Sequence, residues 1–435
     1  MSKKLLYLNN YRGFTNQTVE IDNVSFLVGE NSTGKTSFLA AIGIISNFDY
    51  DQDFNAAEIQ LGQFSDIVSV HADRRTFFDV GFCRQDDKRR ALLLTRYVRG
   101  DKSEPKASRY VYQVEDELFA IERAPEDEIH YSRVSLRKNS SANQVLKRGV
   151  KLLGESYEHK VKIDFPTSFP PAMLRAISTD IIRKELDAEE VPKGETNRDI
   201  MALLDESVFM SGLHWIAPIR TKPQRTYDST EVKEDPEGRH IPYVIRRAIK
   251  GKRKDAKLLR SALERFGKAS GLFSKINIRD YSKANSPEAP FELMVELNEK
   301  QLRINSVGYG VSQALPVAVE LIRFGEDSQF AVQQPEVHLH PRAQAALGDL
   351  IHRFGIVDNK EMLIETHSDF LIDRFRLAQQ KSARKLTAAV LFFERSKSGN
   401  RVTRIPIDDE GSYHDKQPQS FRKFFLNEQI QLLEL

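Results

Sequence analysis

Apolar and polar residues alternate with a period of two through much of the first third of this 435-residue chain. Such alternation predicts β-strands. Short strands begin at Leu5 and at Thr18, and a third over 24–28 is followed by helical spacing over 37–50. Four more strands, at 76–84, 91–98, 110–114 and 131–136, indicate an antiparallel sheet. The polar stretch 137–170 is weakly patterned and is expected to be partly mobile.

Helical spacing dominates the middle of the chain, at 171–187, 197–210 and 241–270, before strands return at 275–281 and 291–297. Beyond residue 305, helices (311–324, 341–354, 369–380) alternate with strands (328–332, 361–365), and a hairpin is predicted over 387–407. Alternating units of this kind predict an α/β fold whose last part joins the sheet begun at the N-terminus. We therefore predict an N-terminal lobe (1–165), a helical insertion (166–275) and a C-terminal lobe (276–435).

Composition adds few constraints. The 65 basic and 62 acidic residues nearly cancel, leaving a net charge of +3 that implies no particular partner. A single cysteine excludes an intramolecular disulfide and a thiolate zinc site. Because neither a signal-peptide pattern nor an apolar run of membrane-spanning length is present, we expect a cytoplasmic protein without a membrane partner.

Residues 29–36, GENSTGKT, match the phosphate-binding pattern G-x-x-x-x-G-K-[ST] at every fixed position. They stand between a predicted strand and a predicted helix, as that motif requires, which disfavours a glycine-rich turn with a chance lysine. Lys35 is expected to reach the β- and γ-phosphates, and the Thr36 hydroxyl to bind Mg²⁺. The chain is therefore predicted to bind a nucleoside triphosphate through Gly29, Glu30, Asn31, Ser32, Thr33, Gly34, Lys35, Thr36 and Ser37.

Three segments of the C-terminal half carry further candidate chemistry. Residues 306–313 put small residues and a hydroxyl before a helix, which suits an anion, although a serine-capped loop is the simpler interpretation. Residues 330–341 form an apolar strand followed by Gln333, Gln334 and Glu336, where such enzymes hold Mg²⁺ and the attacking water. The two histidines of HLHP are more often structural than zinc ligands. A third strand ends in Thr-His-Ser and places His367 at the sheet edge, where a lone histidine is more often a core or capping residue.

The order of these segments resembles the ABC-type ATPase heads of the SMC, RecF and OLD group. HLHP, ETHS and GxGxSQxLP together are typical of the SMC-like bacterial AAA ATPases in that group, and NYRGF at 10–14, LGQFSDI at 61–67 and APIR at 217–220 also resemble them. The resemblance implies an ABC/SMC-like P-loop head with a mixed sheet, an antiparallel subdomain and a helical insertion.

In such heads two protomers enclose two ATP molecules. The resemblance implies that Gly310, Ser312 and Gln313 of one protomer contact the γ-phosphate held by the other. It assigns His367 as the switch histidine and Arg12 as a nucleotide contact. Gln63 is either a Q-loop residue or an ordinary surface glutamine.

One departure from the family pattern affects the mechanism. Relatives usually carry an acidic residue where this chain has Gln333, and Gln334 follows it. An amide supplies neither the charge that organises Mg²⁺ nor a general base. Either Glu336 takes over, or hydrolysis is slow, or the chain is a Glu→Gln variant that traps ATP. We favour the last two together, with Gln333 and Thr36 as the residues nearest the metal.

Ten basic and two acidic residues lie between Arg246 and Lys268, a pattern that suits either a DNA or RNA backbone or a solvated helix face. Only 68 residues follow His367, so we expect no Toprim-type nuclease within the chain. The resulting hypothesis is an ATPase that dimerises around ATP and controls a partner nuclease or toxin, most plausibly in anti-phage defence. A RecF-like DNA-maintenance ATPase is the main alternative, and a small-molecule kinase is disfavoured by the signature and His367.

Overall fold

The computed structural model describes residues 3–46, 54–55, 59–87, 90–124, 128–162, 212–228, 233–281, 289–414, 417–422 and 424. The chain forms two compact units, each assembled from separate stretches. The first unit comprises 1–22, 30–212 and 393–404, and the second comprises 23–29, 213–392 and 405–435.

The N-terminal half supplies nine described strands, at Lys3–Asn9 (β1), Gln17–Ile21 (β2), Val24–Gly29 (β3), Phe77–Gln85 (β4), Arg90–Arg99 (β5), Pro105–Val114 (β6), Glu117–Arg123 (β7), Glu128–Ser135 (β8) and His159–Lys162 (β9). All except β3 form one eight-stranded sheet in the order β2-β1-β4-β5-β6-β7-β8-β9. Every neighbouring pair in it is antiparallel. The predicted antiparallel sheet is confirmed, with β7 as a strand that the pattern did not reveal.

The helices described in this half are Lys35–Ser46 (α1), Phe64–Ile67 (α2) and Ala142–Gly154 (α3). The weakly patterned stretch 137–170 contains α3, a helix that was not predicted and that buries Val145, Leu146 and Leu152 in one cluster with residues of the eight-stranded sheet. Ser141 begins the helix through a capping box, because its hydroxyl accepts the Gln144 N–H and the Gln144 side chain accepts the Ser141 N–H. A Ser-x-x-Gln pattern before helically spaced apolar residues was the missed signal.

The second unit contains a sheet in the order β10-β14-β15-β3-β16-β17 and a three-stranded sheet in the order β11-β12-β13. The strands are Leu213–Ile216 (β10), Lys275–Asp280 (β11), Phe291–Leu297 (β12), Lys300–Arg303 (β13), Gln329–Gln333 (β14), Glu361–Glu365 (β15), Ala388–Ser396 (β16) and Gly399–Ile407 (β17). The end of β16 and the start of β17 fall in the first unit's 393–404 stretch. β10, β14, β15 and β3 run parallel. The C-terminal series therefore joins β3, as predicted, whereas β1 and β2 belong to the other sheet.

The described helices of this unit are Ile241–Lys250 (α4), Lys254–Ser270 (α5), Tyr309–Arg323 (α6), Pro341–Val357 (α7) and Asp369–Lys381 (α8). The single helix predicted for 241–270 is two helices, separated at Gly251. Apolar residues of α4 and α5, such as Ile245 and Phe266, lie in the same core as β14 and β15. The described part of the predicted insertion is thus packed into the second unit. The helices predicted at 171–187 and 197–210, and the boundary at 165, lie outside the described residues.

Candidate functional site

The phosphate-binding loop leaves β3 at Gly29 and enters α1 at Lys35. Backbone φ is +151° at Gly29, +61° at Ser32 and +99° at Gly34, so the loop turns sharply on residues that adopt or tolerate positive φ. Thr33 Oγ1 and Lys35 Nζ each donate to the Glu30 carbonyl at 2.8 Å. This compact loop, with a lysine at the start of a 12-residue helix, fits a polyphosphate.

The NYRGF segment packs within the same unit as residues 30–36. The Tyr11 hydroxyl donates to the Ser37 carbonyl at 3.0 Å, and a Cβ placed on Gly34 would lie 2.6 Å from the Phe14 ring. Arg12 has φ of +51° and donates through Nη2 to the Leu61 carbonyl at 3.1 Å. The sequence placed Arg12 on the nucleotide, and the structure shows it joining this segment to the 61–67 region.

Gln63 is exposed and stands directly before α2, where its backbone N–H donates to the Asp66 carboxylate at 2.9 Å. Its backbone therefore has a helix-capping role, which leaves the Q-loop assignment of its side chain as a prediction.

In the second unit, Gln333 ends β14 with an amide whose two ends have different partners. Its Oε1 accepts the Trp215 indole N–H at 3.0 Å, and its Nε2 donates to Glu365 Oε2 at 3.1 Å. Because an indole only donates and a carboxylate accepts, these partners define the amide orientation. Gln333 therefore turns a donor, not an oxygen, towards the neighbouring strand.

Arg220, from the APIR segment, lies directly behind the end of β14. It is 3% exposed, and its Nη2 donates to the carbonyls of Gln333 at 2.8 Å and Gln334 at 3.3 Å. Its Nε and Nη1 find no acceptor among the described residues. Burial lowers the pKa of Arg220 to about 10, with a smaller opposing effect from Glu336. A positively charged side chain thus holds the backbone at the end of β14, where Gln333 and Gln334 carry no charge.

Glu336 and His367 are joined directly. Glu336 Oε1 accepts the His367 backbone N–H at 2.7 Å, while the His367 side chain is exposed just beyond β15. Burial raises the pKa of the Glu336 carboxyl, against the lowering effect of hydrogen bonds that include the one from His367. A carboxylate with a raised pKa suits general-base chemistry, and here it also holds the backbone of the predicted switch histidine.

The predicted signature segment forms the start of α6. Gly308 and Tyr309 are exposed, whereas Ser312 and Gln313 are 7% and 2% exposed. The Ser312 hydroxyl donates to the Tyr309 carbonyl at 2.7 Å, and Gln313 Nε2 finds no partner among the described residues. Gln313 is buried, and its contact with a second protomer's ligand stays a prediction. The exposed helix start, with Gly310, remains available for that role.

Gly310 also packs against the HLHP segment. A Cβ there would lie 2.9 Å from the His338 carbonyl oxygen, and the His338 ring meets Tyr309 edge-on at 5.3 Å. His340 caps α7, since its Nδ1 accepts the Arg342 N–H at 3.3 Å. Both histidines therefore have structural contacts, and within the described residues neither belongs to a cluster of three or more potential metal ligands.

For Mg²⁺, which takes oxygen ligands, each unit offers separate candidates. Thr36 exposes its side chain in the first turn of α1, and the end of β14 offers amides in place of carboxylates. Glu365, which the sequence analysis passed over, is a carboxylate on the adjacent strand and is 5% exposed. Because Mg²⁺ keeps several waters beside phosphates, a single hydroxyl or a single carboxylate is an adequate protein contribution to its coordination.

No helix in the part of the chain that the structure describes has the length and apolarity needed to cross a bilayer.

Among curated proteins, none matches the chain. Solved structures that resemble it include the Smc head domain of Pyrococcus furiosus with an extended coiled coil, bound to the C-terminal domain of ScpA, at 11% identity and a TM-score of 0.44 over 100% of this chain and 99% of that one. The SMC head domain of Thermotoga maritima matches at 9% identity and a TM-score of 0.36, over 93% of this chain and 99% of that one. Scores this low support no conclusion about fold or function.

The family comparison is more informative because it covers both halves of the chain. The AAA ATPase domain family matches residues 1–167 and 220–372. Those ranges include the phosphate-binding loop, the signature segment, the end of β14 and His367. With matching sequence over most of its length, and with a loop shaped for a polyphosphate, the chain belongs to the AAA ATPase domain family.

Proposed function

We propose that this ATPase dimerises around ATP and, through its nucleotide state, controls a partner effector such as a nuclease or toxin. The observation that carries the dimerisation step is the exposed start of α6. Its first turn presents Gly308 and Tyr309 to solvent, and a helix N-terminus with uncommitted backbone N–H groups attracts phosphate. A γ-phosphate held by a second copy is the ligand that family resemblance suggests.

The chain's own residues divide the chemistry between binding and hydrolysis. The 29–36 loop and Lys35 hold the phosphates, and bound Mg²⁺ would neutralise charge on the β- and γ-oxygens. Glu336, with its raised pKa and its bond to His367, is the candidate that could receive a proton from water. Because Gln333 and Gln334 bring no charge, we propose slow hydrolysis and a long-lived ATP state.

A dimerisation assay tests this directly. Gly308→Asp adds a negative charge at the start of α6, where a Cβ meets nothing within 4 Å and aspartate is a favourable helix cap. The variant should fold and bind ATP yet stay monomeric by light scattering, while the wild type doubles its mass with ATP. Gly325→Asp, just beyond the other end of α6 and also in open space, is the charge-matched control. ATP-induced dimers of Gly308→Asp equal to those of the wild type would refute the proposal.

Effector control and an anti-phage setting rest on family resemblance alone. Co-purification of the wild type with the product of an adjacent gene, dependent on ATP and lost in Lys35→Ala, would support effector control. Purification of an ATP-bound dimer without any such partner would oppose it.

The RecF-like alternative has one favourable observation on α5. Lys254, Lys257, Arg265 and Lys268 are exposed at spacings that place them along one helix face, over about 21 Å at 1.5 Å per residue. Such a stripe suits a nucleic-acid backbone.

Other residues of the predicted basic cluster already form ion pairs within the chain. Arg246 is 7% exposed and pairs with Asp280 at 2.8 Å, as does Lys250. Salt-dependent DNA binding that falls in Lys257→Gln/Lys268→Gln, but not in Lys147→Gln/Arg148→Gln on α3, would favour direct DNA binding. Equal binding by both double variants would argue against it.

A further inference from the structure

A cavity of about 330 Å³ lies beside the first turns of α6, and all the residues that line it belong to the second unit. Part of its lining is apolar and buried, with Leu293 on β12, Ile304 in the segment after β13, and Leu315 on α6. These residues come from separate elements, so the cavity forms where those elements meet. Its volume and its apolar lining are typical of small-ligand sites.

Two tyrosines add aromatic surface to this lining. The Tyr227 and Tyr243 rings meet edge to face, with their centroids 6.3 Å apart. Each also packs against Phe291, at 5.4 Å and 5.5 Å, and Phe291 is fully buried. Because these neighbours already hold both rings in place, a flat ligand gains contact area without having to order them.

The polar groups nearer to solvent can donate hydrogen bonds. Lys222 and Gln224 are exposed, and Tyr243 is half-buried. Within the part of the chain that the structure describes, the Lys222 ammonium, the Gln224 side-chain amide and the Tyr243 hydroxyl form no hydrogen bond or ion pair. Burial, with a smaller contribution from Asp228, raises the pKa of Tyr243 against the lowering effect of Arg246. The hydroxyl therefore keeps its proton at neutral pH and can donate.

The charges around the cavity favour an anion. None of the described residues that line it is acidic. Arg239 lines it as well, but its guanidinium already pairs with Asp235 at 3.4 Å and with Glu237 at 3.0 Å. Lys222 therefore supplies the positive charge that a ligand can use.

We propose that this cavity binds a small organic anion with an apolar ring system. The rings lie against the buried residues and the two tyrosines, and the negative group lies at Lys222, within reach of the Gln224 and Tyr243 donors. No residue of the phosphate-binding loop lines the cavity. Binding there is therefore separate from the proposed ATP-dependent function.

Two dyes of the same shape and different charge test the ligand class. The anion 8-anilinonaphthalene-1-sulfonate (ANS) and the neutral N-phenyl-1-naphthylamine are each titrated into the full-length protein, and dye emission gives their affinities. Lys222→Gln should weaken ANS binding by about 3- to 5-fold, as expected for loss of an exposed ion pair, and should leave binding of the neutral dye unchanged. Lys233→Gln, an exposed lysine of the same unit that does not line the cavity, should leave both affinities unchanged.

A thiol-protection experiment locates the bound dye. The chain's single cysteine, Cys83, is buried in the first unit, so a cysteine introduced at an exposed position is the one that reacts with iodoacetamide. With ANS at ten times its dissociation constant, occupancy alone should slow modification of Gln224→Cys by about tenfold. Arg225→Cys is the matched control, because residue 225 is exposed and does not line the cavity, and its modification should not be slowed.

All four substitutions are at exposed positions, where changes have small effects on stability, and thermal unfolding checks that each variant is folded. Equal protection of Gln224→Cys and Arg225→Cys would overturn the proposed site. Equal loss of both dyes in Lys222→Gln, or absence of saturable ANS binding by the wild type, would overturn the proposed ligand class. ATP-induced dimerisation of the wild type tests the proposed function without this cavity, so failure of one proposal is distinguishable from failure of the other.

Discussion

Gly34 is the loop position at which a single methyl group should have the largest effect. Its φ of +99° disfavours any L side chain, and a Cβ would lie 2.6 Å from Phe14 Cζ and 2.8 Å from Asn400 Nδ2. Phe14 is fully buried and its ring contacts that of Phe393. Asn400 is held by its backbone bond to Gly13 at 2.7 Å. The buried Phe14 ring therefore has little room to withdraw, whereas the half-buried Asn400 side chain can turn aside.

The size of the effect follows from two contributions. Forcing a non-glycine residue into this backbone region costs about 2 kcal/mol, and overpacking against the Phe14 ring costs about another 2 kcal/mol. Gly34→Ala should therefore destabilise the protein by about 4 kcal/mol. At about 2–4 °C per kcal/mol for a unit of this size, the melting temperature should fall by about 8–16 °C. If the loop relocates instead, the cost appears as lost ATP affinity.

Thermal unfolding and equilibrium ATP binding measure both possibilities. Gly154→Ala is the matched control, because Gly154 ends α3 and a Cβ there meets nothing within 4 Å. That substitution should change stability by less than about 1 kcal/mol and leave ATP binding unchanged. If Gly34→Ala matched Gly154→Ala in both measurements, the geometric reasoning about the loop would be wrong.

Two further predictions concern the second unit. Because burial raises the pKa of Glu336, the native state holds this proton more tightly than the unfolded chain, and stability is lost as the pH rises from the ordinary pKa through the raised one. Glu336→Gln should therefore raise the melting temperature relative to the wild type at pH 7 more than at pH 4, and an equal difference at both pH values would contradict this. Arg246→Met breaks the buried pair with Asp280, which Lys250 still contacts, and should lower the free energy of unfolding by about 2 kcal/mol in urea titrations without changing DNA binding; unchanged stability would count against the pair.

The elements with strong local signals were predictable from the sequence. The phosphate-binding loop, β14 and β15 follow from short-range periodicity and fixed spacings, and the structure has them at the expected places. β7 was missed because its short apolar run lies between charged turns. The start of α3 carried a readable capping pattern at Ser141 that was not used.

The contacts between distant residues could not be predicted in this way. Glu336 was the nearest carboxylate in sequence to Gln333, but the structure turns it towards the His367 backbone. Glu365 is 32 residues away from Gln333, and only the parallel register, set after α7 crosses between the strands, brings the two together. The burial of Arg220 likewise depends on β10 pairing with β14, which no local pattern indicates.

The close approach of Gly310 to the His338 carbonyl has a consequence for where the exposed helix start lies. The start of α6 rests on the turn that follows β14, and residue 310 contributes no side chain to separate them. Any larger residue at 310 would push the helix start away from that turn. The surface offered by Gly308 and Tyr309 therefore depends on a glycine that is not itself fully exposed.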